Sequence, residues 1–559
     1  MSNKITVRFI NNNDDVFIAW DVDGDGIIPN CVGFAIQREL TRGSEVSTEW
    51  LRNRVGFADQ PAKKGETRSS EEWPFQRYTW TDHDVTIADV VRYQLSPVLT
   101  DAAGNLTTRT DLGTGWSAPL TISESVDDST SAYFNRALSA SQFVSRYLKD
   151  HKLSQKQLAD EVQQHESSLR SFMGGQLLSK LKSVLEGAAT TKTRQVYGSL
   201  FELRDQELID RLVAIGPRAH IVLADGSPKA TNTDPNNDAR SALKKAKVEV
   251  IDRKVAWDAT KNKKTGALSH NKFLVFVEGK QPSAVWTGST NWTPSGLCTQ
   301  VNNSILIKSP ELATLYFEQW NRLAAAKSKL PNTLAGTNAA PAHFQQNTVP
   351  CEAWFTPDKA QVDLKELQKI VQGAQQGVLF LMFMPGSKPL GDIVSKSVGG
   401  LYVRGVTNQY VSSAQSAIKL FTKGQPDEFQ DHAPNPQGIK QEFAYWLDEV
   451  QLNTLGVLIH SKLILVDPFG DNPVLVVGSH NFSGNASGAN DENFLVLRNQ
   501  PALARAYAAN IISVYQHYRW RYYVAKHKDP WHKLSNDPVW QKSYQSPDEK
   551  LERAFWLKA

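Results

Sequence analysis

Leu268–Val277 reads LSHNKFLVFV, and 190 residues later Leu458–Asp467 reads LIHSKLILVD. At the same offset TGSTNWT (Thr287–Thr293) matches VGSHNFS (Val477–Ser483). His270 therefore aligns with His460, Lys272 with Lys462, Ser289 with Ser479 and Asn291 with Asn481, and each His lies 21 residues before its Asn. Each copy opens on an apolar strand, Val196–Phe201 or Val378–Met384, and closes in a helix-rich stretch. This is an internal duplication: two α/β halves at 191–330 and 346–559, the second with a C-terminal extension, joined by a Pro/Ala/Asn linker at 331–345. Such halves pack about a pseudo-two-fold axis, which predicts that the two His-x-Lys segments meet.

Both His-x-Lys pairs sit inside continuous apolar runs, the pattern of a strand buried on both faces. The two-residue period of a strand sends His and Lys to the same side. A buried lysine is costly unless an anion or a polar network meets it. A lone buried histidine is most often a satisfied core residue, but two matched His/Lys/Asn sets at equal spacing point to a site.

The pattern H-x-K-x(4)-D followed by G-S-x-N resembles the signature of the phospholipase D superfamily. The second copy carries it in full, with His460, Lys462, Asp467, Gly478, Ser479 and Asn481. The first copy departs once, with Val277 where the family has Asp. The resemblance spans about 350 residues, from 191 to roughly 540. It implies a duplicated α/β fold of mixed sheets flanked by helices, and a phosphodiester hydrolase that needs no metal or other cofactor. In that chemistry one histidine attacks phosphorus and forms a phosphohistidine, while the other protonates the leaving oxygen and then activates water. By analogy His270 is the nucleophile. Lys272, Lys462, Asn291 and Asn481 are expected to surround the phosphoryl oxygens, with Ser289 and Ser479 beside the substrate, and Asp467 is counted with the catalytic set as the motif's Asp. Glu492, eleven residues after Asn481, occupies the place of a carboxylate that orients a histidine; Asn302 is eleven after Asn291. Read copy by copy, this gives His460 an anionic partner and His270 a neutral one.

The first 125 residues have a different character. Short alternating segments (Thr6–Phe9, Val16–Trp20, Val32–Arg38, Arg77–Thr81, Val90–Val98, Ala118–Ile122) alternate with turn-rich stretches. The reading is an all-β sandwich resembling a fibronectin type III domain, with Trp20 and Tyr93 in its core and its own partner unknown. Asp21-x-Asp23-x-Asp25-Gly26 mimics the start of a calcium loop, but Val32 stands where a bidentate Glu is needed. Residues 126–190 show helical spacing, interrupted near Gly174–Gly175, and read as a helical connector.

Composition narrows the class. The start lacks an apolar signal segment and no apolar run reaches the ~20 residues of a membrane span, so a cytoplasmic protein is the default expectation; signal-independent secretion would leave no mark. Cys31, Cys298 and Cys351 are far apart and lack metal-ligand spacing. The net charge is +4, but residues 1–125 hold 12 Lys and Arg against 18 Asp and Glu, leaving 50 against 40 in the rest. That excess suits an anionic partner, a phospholipid head group with peripheral membrane contact or a nucleic acid. Lysine-rich Lys244–Lys264, with Trp257 at its centre, and His517–Tyr523 (HYRWRYY) are candidate polyanion contacts, the latter also fitting a packed terminal helix. Two motifs in one chain favour phospholipase D-type cleavage or transphosphatidylation of phospholipids. An endonuclease is the alternative, and an inactive anion-binding scaffold a second.

Overall fold

The computed structural model describes residues 4–24, 26–60, 66–137, 147–148, 150–154, 157–227, 233–258, 260–386, 392–393, 400–408, 459–526 and 534–559. They divide into two compact units: Met1–Glu124 together with Arg505–Ala559, and Ser125–Ala504.

The first unit is built on antiparallel strands. β1 (Ile5–Asn11), β2 (Val16–Val22) and β5 (Thr79–Asp82) form one sheet; β3 (Cys31–Arg42) lies between β4 (Glu45–Trp50) and β6 (Val90–Thr100) in another. One apolar cluster draws Trp20 from the first sheet and Phe34 and Tyr93 from the second. The sequence reading gave Arg505–Ala559 to the second duplicated half. The structure groups these residues with the N-terminal strands instead, and Trp540 joins the same cluster.

The second unit contains the duplication. In its first half the sheet order is β7 (Thr130–Phe134), β13 (Asn303–Ile307), β12 (Gln281–Gly288), β11 (Lys272–Glu278), β8 (Arg194–Leu200), β9 (Ala219–Ala224), β10 (Glu249–Arg253). The second half shares six of these strands in the same order, as β15 (Val349–Phe355), β20 (Asn493–Arg498), β19 (Val474–Gly478), β18 (Lys462–Val466), β16 (Gly377–Met382) and β17 (Tyr402–Thr407), and adds β14 (Ala342–Gln346) outside β15. In each half a parallel set, β8-β9-β10 or β16-β17, meets an antiparallel set at one seam, β8 against β11 and β16 against β18. The seam pairs Leu200 with Lys272 and Met382 with Lys462, so each His-x-Lys starts beside the carboxyl end of a parallel strand. Ligands bind at such ends in open α/β sheets.

Two boundaries move. Thr130–Phe134 was read as helical connector, yet it is an edge strand of the first sheet, pairing with β13 from Thr130↔Ile307 to Phe134↔Asn303. Part of the expected linker is ordered as a helix, Asn332–Thr337, and as strand β14. The rest of the connector is largely α1 (Ser168–Thr190), capped by the Ser167 hydroxyl, with Leu169, Leu177, Leu181 and Leu185 buried along one side. Gly175 breaks its helical geometry with φ 54°, where the sequence shows its interruption. Within the connector, residues 138–146, 149 and 155–156 lie outside the described residues, as do the side chains of 519–523.

Candidate active site

Gly288 and Gly478 end the strands that precede the Ser-x-Asn segments. A Cβ on either would lie 2.3 Å from the carbonyl oxygen of Asn303 or Asn493 respectively, so only glycine allows the neighbouring strand this close. That approach lets Ser289 and Ser479 reach the residues just before β13 and β20. Ser289 Oγ donates to Asn302 Oδ1 at 2.7 Å, and Ser479 Oγ donates to Glu492 Oε2 at 2.7 Å. Both hydroxyls, expected at the substrate, are buried and spent on holding these two side chains.

The halves then exchange partners. The His270 amide donates to Asp491 O at 2.9 Å, and the His460 amide donates to Val301 O at 3.0 Å. Each His-x-Lys segment is therefore laced to the other half. His270 Nδ1 lies 2.8 Å from Glu492 Oε2, and His460 Nδ1 lies 3.0 Å from Asn302 Oδ1. This corrects the copy-by-copy reading: the carboxylate belongs to His270 and the neutral amide to His460. The cause is the symmetry itself, since two halves packed face to face place each Ser-held residue against the opposite histidine.

Hydrogen bonds fix the tautomers. Asn302 Nδ2 donates to Gly296 O at 2.8 Å, so its Oδ1 faces His460. Burial pushes the Glu492 carboxyl up, but His270, Lys272 and His480 outweigh it and hold it below the usual range. Glu492 is thus an ionised acceptor, His270 Nδ1 carries the proton, and Nε2 keeps its lone pair. The buried lysines fold back on their own strands: Lys272 Nζ donates to His270 O at 2.6 Å, and Lys462 Nζ donates to His460 O. Burial lowers all four bases. His270 falls to about 4, with Glu492 opposing, and Lys272 falls to about 7, opposed by Glu492 and Glu202. His460 and Lys462 drop well below their ordinary values through burial and mutual repulsion among the cations. The arrangement is a buried, base-rich cluster whose natural complement is an anion.

Several features escaped the sequence reading. Phe201 lies 4.7 Å from the His270 ring and 5.0 Å from Lys272 Nζ; Phe383 repeats this at 4.8 Å from His460 and 4.7 Å from Lys462 Nζ. Their equivalence in the two opening strands was the available signal. Asn291 Nδ2 donates to Glu202 Oε2, a second buried carboxylate that no motif announces.

Other expectations are displaced. Asp467 was placed among the catalytic residues, but it sits past the far end of β18, with φ 48°. Its carboxylate accepts from the amides of Gln375, Gln376 and Gly377 at 2.7–2.9 Å, tying off the start of β16. At the matching place Val277 simply continues the ladder opposite Gln195, and no cap is needed. Trp257 is half-buried on a two-rung hairpin, paired with Lys264, and its described contacts do not join it to the histidines.

Comparisons place this geometry in context. The family model described as "Cardiolipin synthase, PLD-like domain" matches residues 188–324 and 367–514, together about half of the chain. No curated relative matches. Among solved structures, phosphatidylserine synthase of Haemophilus influenzae Rd KW20 is 12% identical, with a TM-score of 0.42, over 60% of this chain and 84% of that one. Yeast tyrosyl-DNA phosphodiesterase is 12% identical, at 0.32, over 58% of this chain and 88% of its own. Nuc of Salmonella typhimurium, a phospholipase D family member, is 15% identical, at 0.20, over 32% and 96%. On the strength of the matched model, spanning both His-x-Lys segments and both Ser-x-Asn segments, the chain belongs to the cardiolipin synthase-type, phospholipase D-like family.

Proposed function

We propose that the chain is a phosphodiesterase working through a covalent phosphohistidine, with His270 as nucleophile and His460 as general acid and base. The observation that carries this is the unequal support of the two histidines. Glu492 fixes His270 with Nε2 free for attack, and its negative charge stabilises the cationic ring that a phosphohistidine creates. Asn302 orients His460 equally well without adding charge, which leaves that ring readier to give its proton to the leaving oxygen. A phosphodiester brings negative charge among Lys272, Lys462 and His460, raising their proton affinity, so the general acid is loaded as substrate binds. The lysines provide the positive charge at the phosphoryl oxygens, and the reaction proceeds without a divalent ion. Water completes hydrolysis; an alcohol in its place gives transfer.

Phospholipid is the proposed substrate class, in keeping with the family description and with two motifs in one chain. A nucleic acid is the second reading. It is favoured by the hairpin of Trp257–Asp258 and Lys263–Lys264, which follows β10 at the same carboxyl edge of the sheet and exposes Lys261, Lys263 and Lys264. The test is cleavage of phosphatidylcholine vesicles and of single-stranded DNA, in EDTA, by the intact chain and by His270→Ala and His460→Ala. Loss of ~10²-fold or more in both variants is expected, with an acid-labile phosphoprotein trapped on quenching. Retained activity in either variant, or its abolition by chelation, overturns the two-histidine reading.

A further inference from the structure

Two asymmetries separate the histidines, and only one of them, Glu492 against Asn302, enters the mechanism above. The other lies behind the strands. The period of a strand sends the residue between each His and Lys to the opposite face. At this place the first half has Asn271 and the second has Ser461. Ser461 Oγ donates to Val301 O at 3.1 Å, the same carbonyl that takes the His460 amide. Asn271 instead accepts, through Oδ1, from Asn493 Nδ2 at 2.7 Å, a side chain of the other half next in sequence to Glu492.

Asn493 is held from the first half at its other end too. Its Oδ1 accepts from Thr287 Oγ1 at 2.7 Å and from Tyr316 Oη at 2.9 Å, Thr287 standing on β12 and Tyr316 on the helix Pro310–Ala326. All four side chains are buried. The second half does not repeat this. Val477 stands at the place of Thr287 and has no donor, and Asn303, the counterpart of Asn493, donates to Ser289 Oγ in its own half at 3.4 Å. The bridge also has a cost. Asn271 Nδ2 is buried without a hydrogen-bond partner among the described residues, and an unpaired buried donor destabilises a fold. Ser461 shows that the equivalent backbone forms without an amide there. A stability cost at one of two equivalent positions points to a function at that one.

The bridge fixes the place of Glu492. That residue lies between Asp491, whose carbonyl takes the His270 amide, and Asn493, whose side chain is bonded into the first half. Tied down at both neighbours, its carboxylate meets His270 Nδ1 at 2.8 Å. Misplacing a reacting group by about 1 Å can lower a rate by roughly 10²-fold, so such a clamp has leverage on the chemistry. Resting on the function proposed above, we infer that Thr287, Tyr316, Asn493 and Asn271 form a buried clamp of positioning residues that sets Glu492 against His270 for the attack on phosphorus. The clamp stands behind the proposed nucleophile and not behind its partner. It therefore bears on formation of the phosphohistidine rather than on its hydrolysis, in which His460 acts.

The experiment is rapid-quench kinetics of the acid-labile phosphoprotein, its formation and its decay, on phosphatidylcholine vesicles or single-stranded DNA, whichever the histidine test shows to be cleaved. Tyr316→Phe removes one donor to Asn493 and keeps the shape of the core. Thr287→Val installs the residue of the second half and serves if Tyr316→Phe fails to fold. Formation is expected to slow by about tenfold, with decay changed by less than about twofold. Thr287→Ser, which keeps the hydroxyl, should form the intermediate at the rate of the intact chain. The discriminating background is Glu492→Ala, where the clamp has no carboxylate to place. Adding Tyr316→Phe or Thr287→Val there should slow formation by less than about twofold, because residues that act through one another are not additive. A loss of full size in that background, equal slowing of formation and decay, or formation at the intact rate overturns the clamp. None of these results touches the two-histidine reading, which His270→Ala and His460→Ala test.

Discussion

At the scale of single residues, the decisive contrast is between Glu492 and Asn302, two side chains that differ by one methylene and one charge. Both are gripped by a serine hydroxyl and both accept from a histidine Nδ1. Glutamine at 492 can still accept that proton, so Glu492→Gln isolates charge from orientation. The plateau of kcat/KM should fall by ~10²-fold, the scale of a lost electrostatic contact to a developing charge. The acid limb moves as well. In the proposed mechanism His270 must be neutral to attack, and its affinity for protons, about 4, is supported by Glu492 against burial and the lysines. Without the carboxylate His270 holds a proton less tightly, so the acid limb should move to lower pH. A variant whose plateau and limb both match the intact chain would show that Glu492 only orients the ring.

At the scale of elements, the proposed catalysis depends on how the segment before β20 is held. Asp491, next to Glu492, forms a two-pronged ion pair with Arg253 at the end of β10, at 2.8 and 2.9 Å, with neither side chain exposed. Arg253 also donates to Lys329 O at 2.5 Å and to Lys327 O, so its donors are well used. Breaking a pair of this kind strands a buried charge and costs about 3–5 kcal/mol. Asp491→Ala should therefore lower the urea midpoint of the duplicated region and reduce kcat beyond the fraction unfolded, because the Asp491 carbonyl and Glu492 both engage His270. A midpoint equal to that of the intact chain would remove the pair from this account. The same segment shows where sequence reading ends. His270, Lys272, His460 and Lys462 are legible because a strand's period and a repeat at constant offset are local facts. The exchange of Glu492 and Asn302 between halves is not, since spacing within a copy says nothing of which half it faces. Asp467 misleads for a related reason: the motif records its presence at a strand end, whereas its partners, the amides of 375–377, lie about ninety residues earlier.

At the scale of the whole molecule, the chain's first 124 residues and its last 55 form one unit. Nothing periodic links Trp540 or Trp556 to strands more than 500 positions away, so the antiparallel strands were readable and their C-terminal complement was not. The contacts are nonetheless specific. Gln541 pairs with the backbone of Ile28, accepting from its amide at 2.9 Å and donating to its carbonyl at 3.0 Å, and Trp540 Nε1 donates to Cys31 O at 2.9 Å. Arg553 reaches Asp21 at 2.8 Å and lies over the Tyr78 ring, and Trp556 packs 4.5 Å from Phe17. Deleting one large buried aromatic typically costs about 3–5 kcal/mol. Removing residues 534–559 deletes three of them, Trp540, Phe555 and Trp556, and opens the cluster around Trp20, Phe34 and Tyr93. That loss approaches the 5–15 kcal/mol that holds an ordinary domain together. Hydrogen exchange should then show β3 and β6 amides losing protection in the truncated chain, while those of β11 and β18 keep theirs. Protection unchanged in β3 and β6 would mean that the strands form a stable unit by themselves, with the C-terminal residues an ornament on it. Loss of protection in β11 and β18 as well would mean that the two units do not unfold independently.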